Sequence, residues 1–401
     1  MHLMFAFVAA VHAGGLAPSV EKPRPDAIMT TVTDTTWYVT NRARTAGTFV
    51  RAAADSLEYG YVVVRYRERI DRTARDPWAE GFTRTMAEPV RLTRAEFLTR
   101  IGAASARAGN HGEGPVVYTH GFATSFGRSI AQGSDIAHRG RYTGPFIVFS
   151  WPAHTAFASL PRLSAWISKA YRDDSTLATS SQGAFRGTLT DLLSVIPSAR
   201  LTVLAHSLGA QLASEALSAP SPVRDALAGS PLHALVLFAP DIAAARFRDV
   251  LGPALAPLAN RRVIYASETD RLLDVSRLIN HSPRAGQLGG EQVLSVANVE
   301  IVDVTLGRRT NGILRNIFEP HHAMRYASSA LRDFFGVVRG TPGDCRAFDG
   351  LAVQVTERSW RLTSDVPPAY DVGCLSAEAG ARAREAFAAA AAAAAIALPP
   401  H

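Results

Sequence analysis

A chain of 401 residues, 47% apolar and 19% charged, has the material for a large buried core and is neither a solvated tail nor a disordered segment. Its formal charge of +7 comes from arginine, since Lys22 and Lys169 are the only lysines. The arginines are scattered, with short pairs such as Arg261-Arg262 and Arg308-Arg309 and no basic stripe, so no nucleic-acid partner is expected.

In chain order, Met1 to Ala13 holds an apolar run, Leu3 to Val11, ahead of the small-residue site Val11-His12-Ala13, but lacks a basic start. Two readings stay open, an export signal or an untrimmed leader in a cytoplasmic protein. No other stretch has the roughly 18–20 apolar residues of a membrane-spanning helix, so no transmembrane segment is expected. Gly14 to Thr33, rich in Pro, Gly and Ala, reads as a tether and completes a leader region at 1–33.

The next region, 34–338, reads as one α/β domain. Thr36 to Thr40 and Tyr61 to Tyr66 have the aromatic and β-branched content of strands. Asp71 to Pro89 is polar and irregular. Thr93, followed by Glu96 three residues later, has the form of a capping box and predicts a helix start. From Pro115 a rhythm of apolar run, turn and helix sets in. The runs are Val116 to Tyr118, Phe146 to Phe149, Leu201 to Leu204, Ala234 to Phe238 and Arg262 to Tyr265, with helical stretches such as Gln182 to Ile196 between them. Continuous rather than alternating apolar strands imply burial on both faces. The predicted fold class is therefore α/β, a mostly parallel central sheet with helices on both faces.

The chemistry centres on Leu204-Ala205-His206-Ser207-Leu208-Gly209, between the strand Leu201 to Leu204 and the helix Ala210 to Leu217. Strand, turn and helix in that order around a serine flanked by small residues match a nucleophile elbow. Small flanks are needed because the serine backbone is strained and helix and strand approach closely there. Gly209 meets this need, and Ala205 adds one methyl. Ser207 is thus the candidate nucleophile, with the N–H of Leu208 at the helix start as an oxyanion donor. His206 reads as a packing or supporting group. Upstream, His120-Gly121-Phe122 follows the strand Val116 to Thr119, and Gly121 allows a turn that offers the N–H of Phe122 as a second oxyanion donor.

An acid and then a histidine are expected further on. Asp241 and Asp270 each end a strand at its carboxyl end, where sites form in parallel sheets. Asp270, the later one, is favoured, with Asp241 read as a helix cap. The late histidines His321 and His322 lie after the strand Val299 to Val304 and before the helix Met324 to Phe335. Either can be the base. Trp151-Pro152 and Ala153 to Ser181 read either as a wall or cap of the acyl pocket or as a plain connection.

After Gly340 the chain turns to Gly, Pro and two cysteines, Cys345 and Cys374, which form one disulfide or stand as separate thiols. Neither has the spacing of a metal site. The extension, 339–401, reads as a small β-rich piece followed by an alanine-rich tail, Ala388 to Ala395.

Taken together, Trp37-Tyr38-Val39-Thr40-Asn41-Arg42, Tyr118 to Phe126, Phe149-Ser150-Trp151-Pro152, the Ser207 elbow, Ala239-Pro240-Asp241-Ile242 and Tyr265 to Asp270 resemble the bacterial α/β-hydrolases classed as esterase/lipase-like domains of unknown function. The resemblance runs from about Trp37 to Phe335. It implies a triad of Ser207, Asp270 and a late histidine, though His321-His322-Ala323-Met324-Arg325-Tyr326 departs from the family's arrangement of histidine and aromatic. The expected activity is hydrolysis of a small-molecule carboxylic ester through an acyl-enzyme, without metal or organic cofactor. An amidase or thioesterase with the same triad, and a non-catalytic hydrolase-like binding scaffold, are the alternatives. Substrate identity and oligomeric state are not encoded in these patterns.

Overall fold

Three of the strands that read as apolar runs are buried along their whole length. In the computed structural model, β5 (Val116–Thr119), β6 (Phe146–Ser150) and β7 (Thr202–His206) have every residue buried. The structure describes residues 28–70, 82–109, 112–154, 163–289, 296–305, 320–348 and 351–363. The leader, Cys374 and the alanine run lie outside these residues.

A long hairpin, β1 (Ile28–Thr45) and β2 (Thr48–Ile70), comes first among the described residues. The tether expected up to Thr33 therefore ends earlier, because Ile28 to Thr33 pair with β2. β3 (Phe82–Met86) and β4 (Val90–Leu92) both add to β2. Helix α1 (Arg94–Gly109) starts at the predicted capping box: the Glu96 carboxylate accepts the Thr93 N–H at 2.9 Å, and the Thr93 hydroxyl accepts the Glu96 N–H at 3.2 Å. After β5 come α2 (Phe126–Arg139), β6, α3 (Leu163–Ser180), α4 (Gln182–Leu193), β7, α5 (Leu208–Ser218), α6 (Pro222–Gly229), β8 (Leu232–Phe238), β9 (Ala259–Ala266) and α7 (Arg271–Asn280). β10 (Glu300–Asp303), α8 (Ala323–Tyr326), α9 (Ser328–Val338), β11 (Ala352–Thr356) and β12 (Ser359–Leu362) follow.

The described strands form a twelve-stranded sheet in the order β11-β12-β10-β9-β8-β7-β5-β6-β1-β2-β3, with β4 also on β2. From β12 to β1 all neighbours are parallel, and antiparallel strands flank both ends. Successive residues of the central strands serve opposite cores. Val117, Ile147, Val203 and Leu235 pack with Phe97 of α1, Phe185 and Leu189 of α4 and Leu212 of α5. Val116, Val148, Leu204 and Val236 pack with Ile130 of α2 and with Leu331 and Phe334 of α9. The fold is that of an α/β hydrolase, a mostly parallel sheet between two helical layers.

The β-rich extension is part of this sheet: β12 runs parallel to β10, pairing Val302 with Trp360. Buried Arg346 joins the two regions, donating to Asp333 of α9 at 2.5 Å and to Glu300 of β10 at 2.6 Å, with Trp360 4.7 Å beneath its guanidinium. Burial pushes the Glu300 carboxyl up, but the guanidiniums of Arg261 and Arg346 outweigh it and bring it down to about 2. Cys345, buried beside Arg346, is disulfide-bonded. Among the described residues no helix is long and apolar enough to cross a membrane.

Candidate active site

Ser207 occupies the turn between β7 and α5 with φ 53° and ψ −120°, a conformation that side-chain-bearing residues rarely adopt. Three backbone bonds hold it there: its N–H donates to Phe238 O at 2.9 Å, and its carbonyl accepts the N–H groups of Ala210 at 2.9 Å and Asp241 at 3.2 Å. Its hydroxyl makes no capping bond to α5. The small flank on the helix side is a steric requirement, since a Cβ on Gly209 would stand 2.3 Å from His120 O. Gly121 is equally constrained, because a Cβ there would meet Ser207 Cβ at 2.9 Å. The elbow and the turn carrying Phe122 are therefore in direct contact. Leu208 is the first residue of α5, so its N–H belongs to the set without an intrahelical acceptor.

Asp270, 1% exposed, ends the β9 loop and caps α7. One carboxylate oxygen accepts the N–H groups of Leu272 and Leu273, both at 3.0 Å, and the other lies 2.7 Å from His321 Nδ1. With Nδ1 donating to the carboxylate, the lone pair of a neutral His321 ring sits on Nε2, the form a general base needs. His206, next to the serine, bonds through Nε2 to the His321 carbonyl at 2.9 Å, tying His321 to the elbow. The His322 ring lies 5.1 Å from the rings of both His206 and His321, and its residue immediately precedes α8. The structure thus brings Asp270 and His321 together beside the Ser207 elbow, and places His322 one position beyond the carboxylate contact.

Asp241 has a different use from the helix cap expected of it. Its carboxylate accepts from Arg284 Nε (2.6 Å), Ser276 Oγ (2.5 Å) and the Tyr171 hydroxyl (2.8 Å), while the short helical turn that follows starts at Ala243 without a side-chain cap. Trp151 is fully buried in the core. It stacks on His120 at 5.0 Å, and its indole N–H donates to His120 O at 2.8 Å, so it supports the Gly121 turn from behind.

The segment read as wall, cap or connection contains α3. That helix is anchored through Tyr171 to Asp241 and through Asp174, whose carboxylate accepts the N–H of Ala123 at 3.0 Å and of His154 at 2.9 Å. Ala123 and Ile167 pack with Val275 of α7, against Phe122 and Leu272, forming a small apolar cluster beside the Phe122 turn. Burial pushes the Asp174 carboxyl up to about 6, against the pull of those N–H groups and of Arg51 and Arg42. Asp174 and Arg42, both within this framework, carried no local signal of a place at this turn: Asp174 follows Arg172 and Asp173, Arg42 closes the segment that begins at Trp37, and only the fold brings them to the turn. Among the described residues no group of three or more His, Cys, Asp or Glu side chains could hold a metal ion.

A family model described as "Alpha/beta hydrolase of unknown function (DUF900)" matches residues 108–316, just over half of the chain. No curated protein matches the sequence. Similar solved structures include an esterase from Pyrobaculum calidifontis (13% identity, 69% of this chain and 84% of that one, TM-score 0.29). Esterase Est22 (12%, 84% and 88%, TM-score 0.34) and fungal esterases from Rhizomucor miehei (11%, 85% and 92%, TM-score 0.29) are others. Likenesses this distant carry nothing about substrate or residue roles. The family match covers the Phe122 turn, the Ser207 elbow and Asp270, and the chain belongs to that family of α/β hydrolases.

Proposed function

We propose that the chain is a serine hydrolase that cleaves carboxylic esters, with Ser207 as nucleophile, His321 as base and Asp270 as the acid that orients it. The observation that carries this reading is the 2.7 Å contact of Asp270 with His321 Nδ1, made beside a serine held at φ 53°. His321 Nε2 takes the Ser207 proton as Oγ attacks the ester carbonyl, and the N–H groups of Phe122 and Leu208 receive the negative charge on the carbonyl oxygen. The imidazolium returns the proton to the departing alkoxide, leaving an acyl group on Ser207. Water, deprotonated by the same imidazole, then releases the carboxylic acid and restores the serine. Asp270 stays ionised throughout and balances the transient imidazolium.

Fluorophosphonate labelling of the intact protein, beside Ser207→Ala, tests the nucleophile. Labelling that is lost in the variant, with turnover of a p-nitrophenyl ester, supports the reading. A folded protein that neither labels nor turns over esters, amides or thioesters refutes it and leaves a binding scaffold. Matched ester, amide and thioester substrates separate the leaving-group classes.

A further inference from the structure

The direction of an oxyanion donor is set by the peptide unit that carries it. The N–H of Phe122 shares its peptide with the carbonyl of Gly121, and in a trans peptide the two point opposite ways. His120 Nδ1 lies 2.9 Å from that carbonyl oxygen. A bond there requires the proton on Nδ1, and so the imidazole tautomer whose Nε2 is an acceptor. The other face of the ring supplies a reason for that tautomer. Arg42 Nη2 stands 3.5 Å from His120 Nε2, and a guanidinium offers only donors, so Nε2 is disfavoured as a site for the proton.

Arg42 is itself held. It is 2% exposed and belongs to β1 beside β6. Its Nε donates to Ser150 Oγ at 3.0 Å, Nη1 to Ala153 O at 3.3 Å, and Nη2 to Thr124 O at 2.6 Å. Stacking on Trp151 fixes the plane of the His120 ring. On the far side of Phe122, the Thr124 hydroxyl donates to Phe122 O at 3.1 Å and Asp174 accepts the Ala123 N–H, where φ is 51°. Burial, with the Arg42 charge next and that of His206 last, pushes the His120 imidazole well below its usual value and keeps it neutral. The same burial brings Arg42 down to about 9, still cationic at neutral pH. Stability alone gives no reason for a cation here, because well-packed apolar residues serve a core as well as a buried charge or better.

We infer that Arg42 is a positioning residue for the oxyanion donor. It fixes His120 as the Nδ1–H tautomer, and the bond from Nδ1 to the Gly121 carbonyl aims the Phe122 N–H. This rests on the reading of Phe122 as an oxyanion donor, so the decisive readout is one that needs no turnover. In ¹⁵N spectra of the histidine rings of the full chain, His120 is expected as a neutral ring protonated on Nδ1, and Arg42→Met is expected to shift it toward the Nε2–H form. In ester turnover, Arg42→Met and His120→Phe, which keeps the stack on Trp151, are each expected to lower kcat about 10²-fold with KM nearly unchanged, the signature of a donor used only in the transition state.

An Nε2–H ring in an active wild-type enzyme overturns the inference alone. So does an Arg42→Met protein with wild-type kcat. If Arg42→Met fails to fold, the wild-type spectrum and His120→Phe still decide. A Nδ1–H ring in a protein without any turnover overturns the hydrolase reading, and the oxyanion role with it.

Discussion

Replacing Gly209 by alanine adds one methyl at the closest approach of α5 to the end of β5. The new Cβ would stand 2.3 Å from His120 O and 2.8 Å from Thr119 O, both backbone atoms that no rotamer change can move. Carbon–oxygen contacts of this kind normally lie at about 3.3–3.6 Å, so helix and strand end must part by about 1 Å. Overpacking of that size costs about 1–3 kcal/mol. The strain falls on the carbonyl that holds the Trp151 indole and begins the turn carrying Phe122. A displacement of about 1 Å in a catalytic donor is enough for a loss of about 10²-fold. Gly209→Ala is therefore expected to melt somewhat earlier than wild type and to lose kcat on p-nitrophenyl acetate by that factor. Gly183→Ala, in α4 where a Cβ meets nothing within 4 Å, serves as the control and should gain about 0.5–1 kcal/mol of stability with unchanged activity. A Gly209→Ala enzyme with kcat within twofold of wild type would refute the steric argument.

Asp270 has two separable duties. Asparagine caps helices as well as aspartate, so Asp270→Asn should keep its melting temperature while kcat falls about 10⁴-fold; Asp270→Ala should lose about 1 kcal/mol as well. Equal melting and equal activity in the two variants would contradict this division. His322→Asn is expected to stay within a few-fold of wild-type kcat and His321→Asn to be inactive, and the reverse order would move the base. For Asp174 the folded carboxyl titrates at about 6 against 3.8 for the free group, so the folded state retains a proton that the unfolded chain releases between those values. Its contribution to stability therefore declines as pH rises through that window, by about 3 kcal/mol in full. The stability of wild type minus that of Asp174→Asn, followed by denaturant unfolding from pH 4 to 7, should fall. A flat difference would mean that the carboxyl is not strained by burial.

Local chemistry was the readable part of this chain. The elbow combines a buried strand, a small-flanked serine and a helix start within a dozen residues, and the Thr93 capping box closes within four. Strands buried on both faces announced the parallel sheet through their apolar runs. What stayed hidden depends on distant partners or on surfaces that face water. β3 has four of its five residues exposed and reads as polar irregular chain. In α3 the hydroxyl of Tyr171 and the carboxylate of Asp174 anchor the helix beside apolar contacts such as that of Ile167, and the two polar anchors leave no apolar signature. Arg42 meets His120 from 78 positions away, and the contact that sets His321 apart from His322 comes from a carboxylate 51 positions earlier. Neither spacing is a pattern that a single sequence can display.

The pairing of β12 with β10 has a consequence for the order in which the chain can settle during synthesis. β10, and the loop of Asp270 on the strand beside it, emerge from the ribosome well before residues 346 to 362. Until Arg346 arrives, Asp333 lacks that partner in the place it is to be buried, and Glu300 has only Arg261. Breaking a buried pair of this kind costs about 3–5 kcal/mol, a large share of the stability of an ordinary domain. The nascent chain thus holds a finished Ser207 turn in an unfinished sheet, with one edge of β10 open to other strands. A premature stop after Val338 would spare each group assigned to the reaction yet leave that edge uncovered, a route to aggregation rather than to a smaller enzyme.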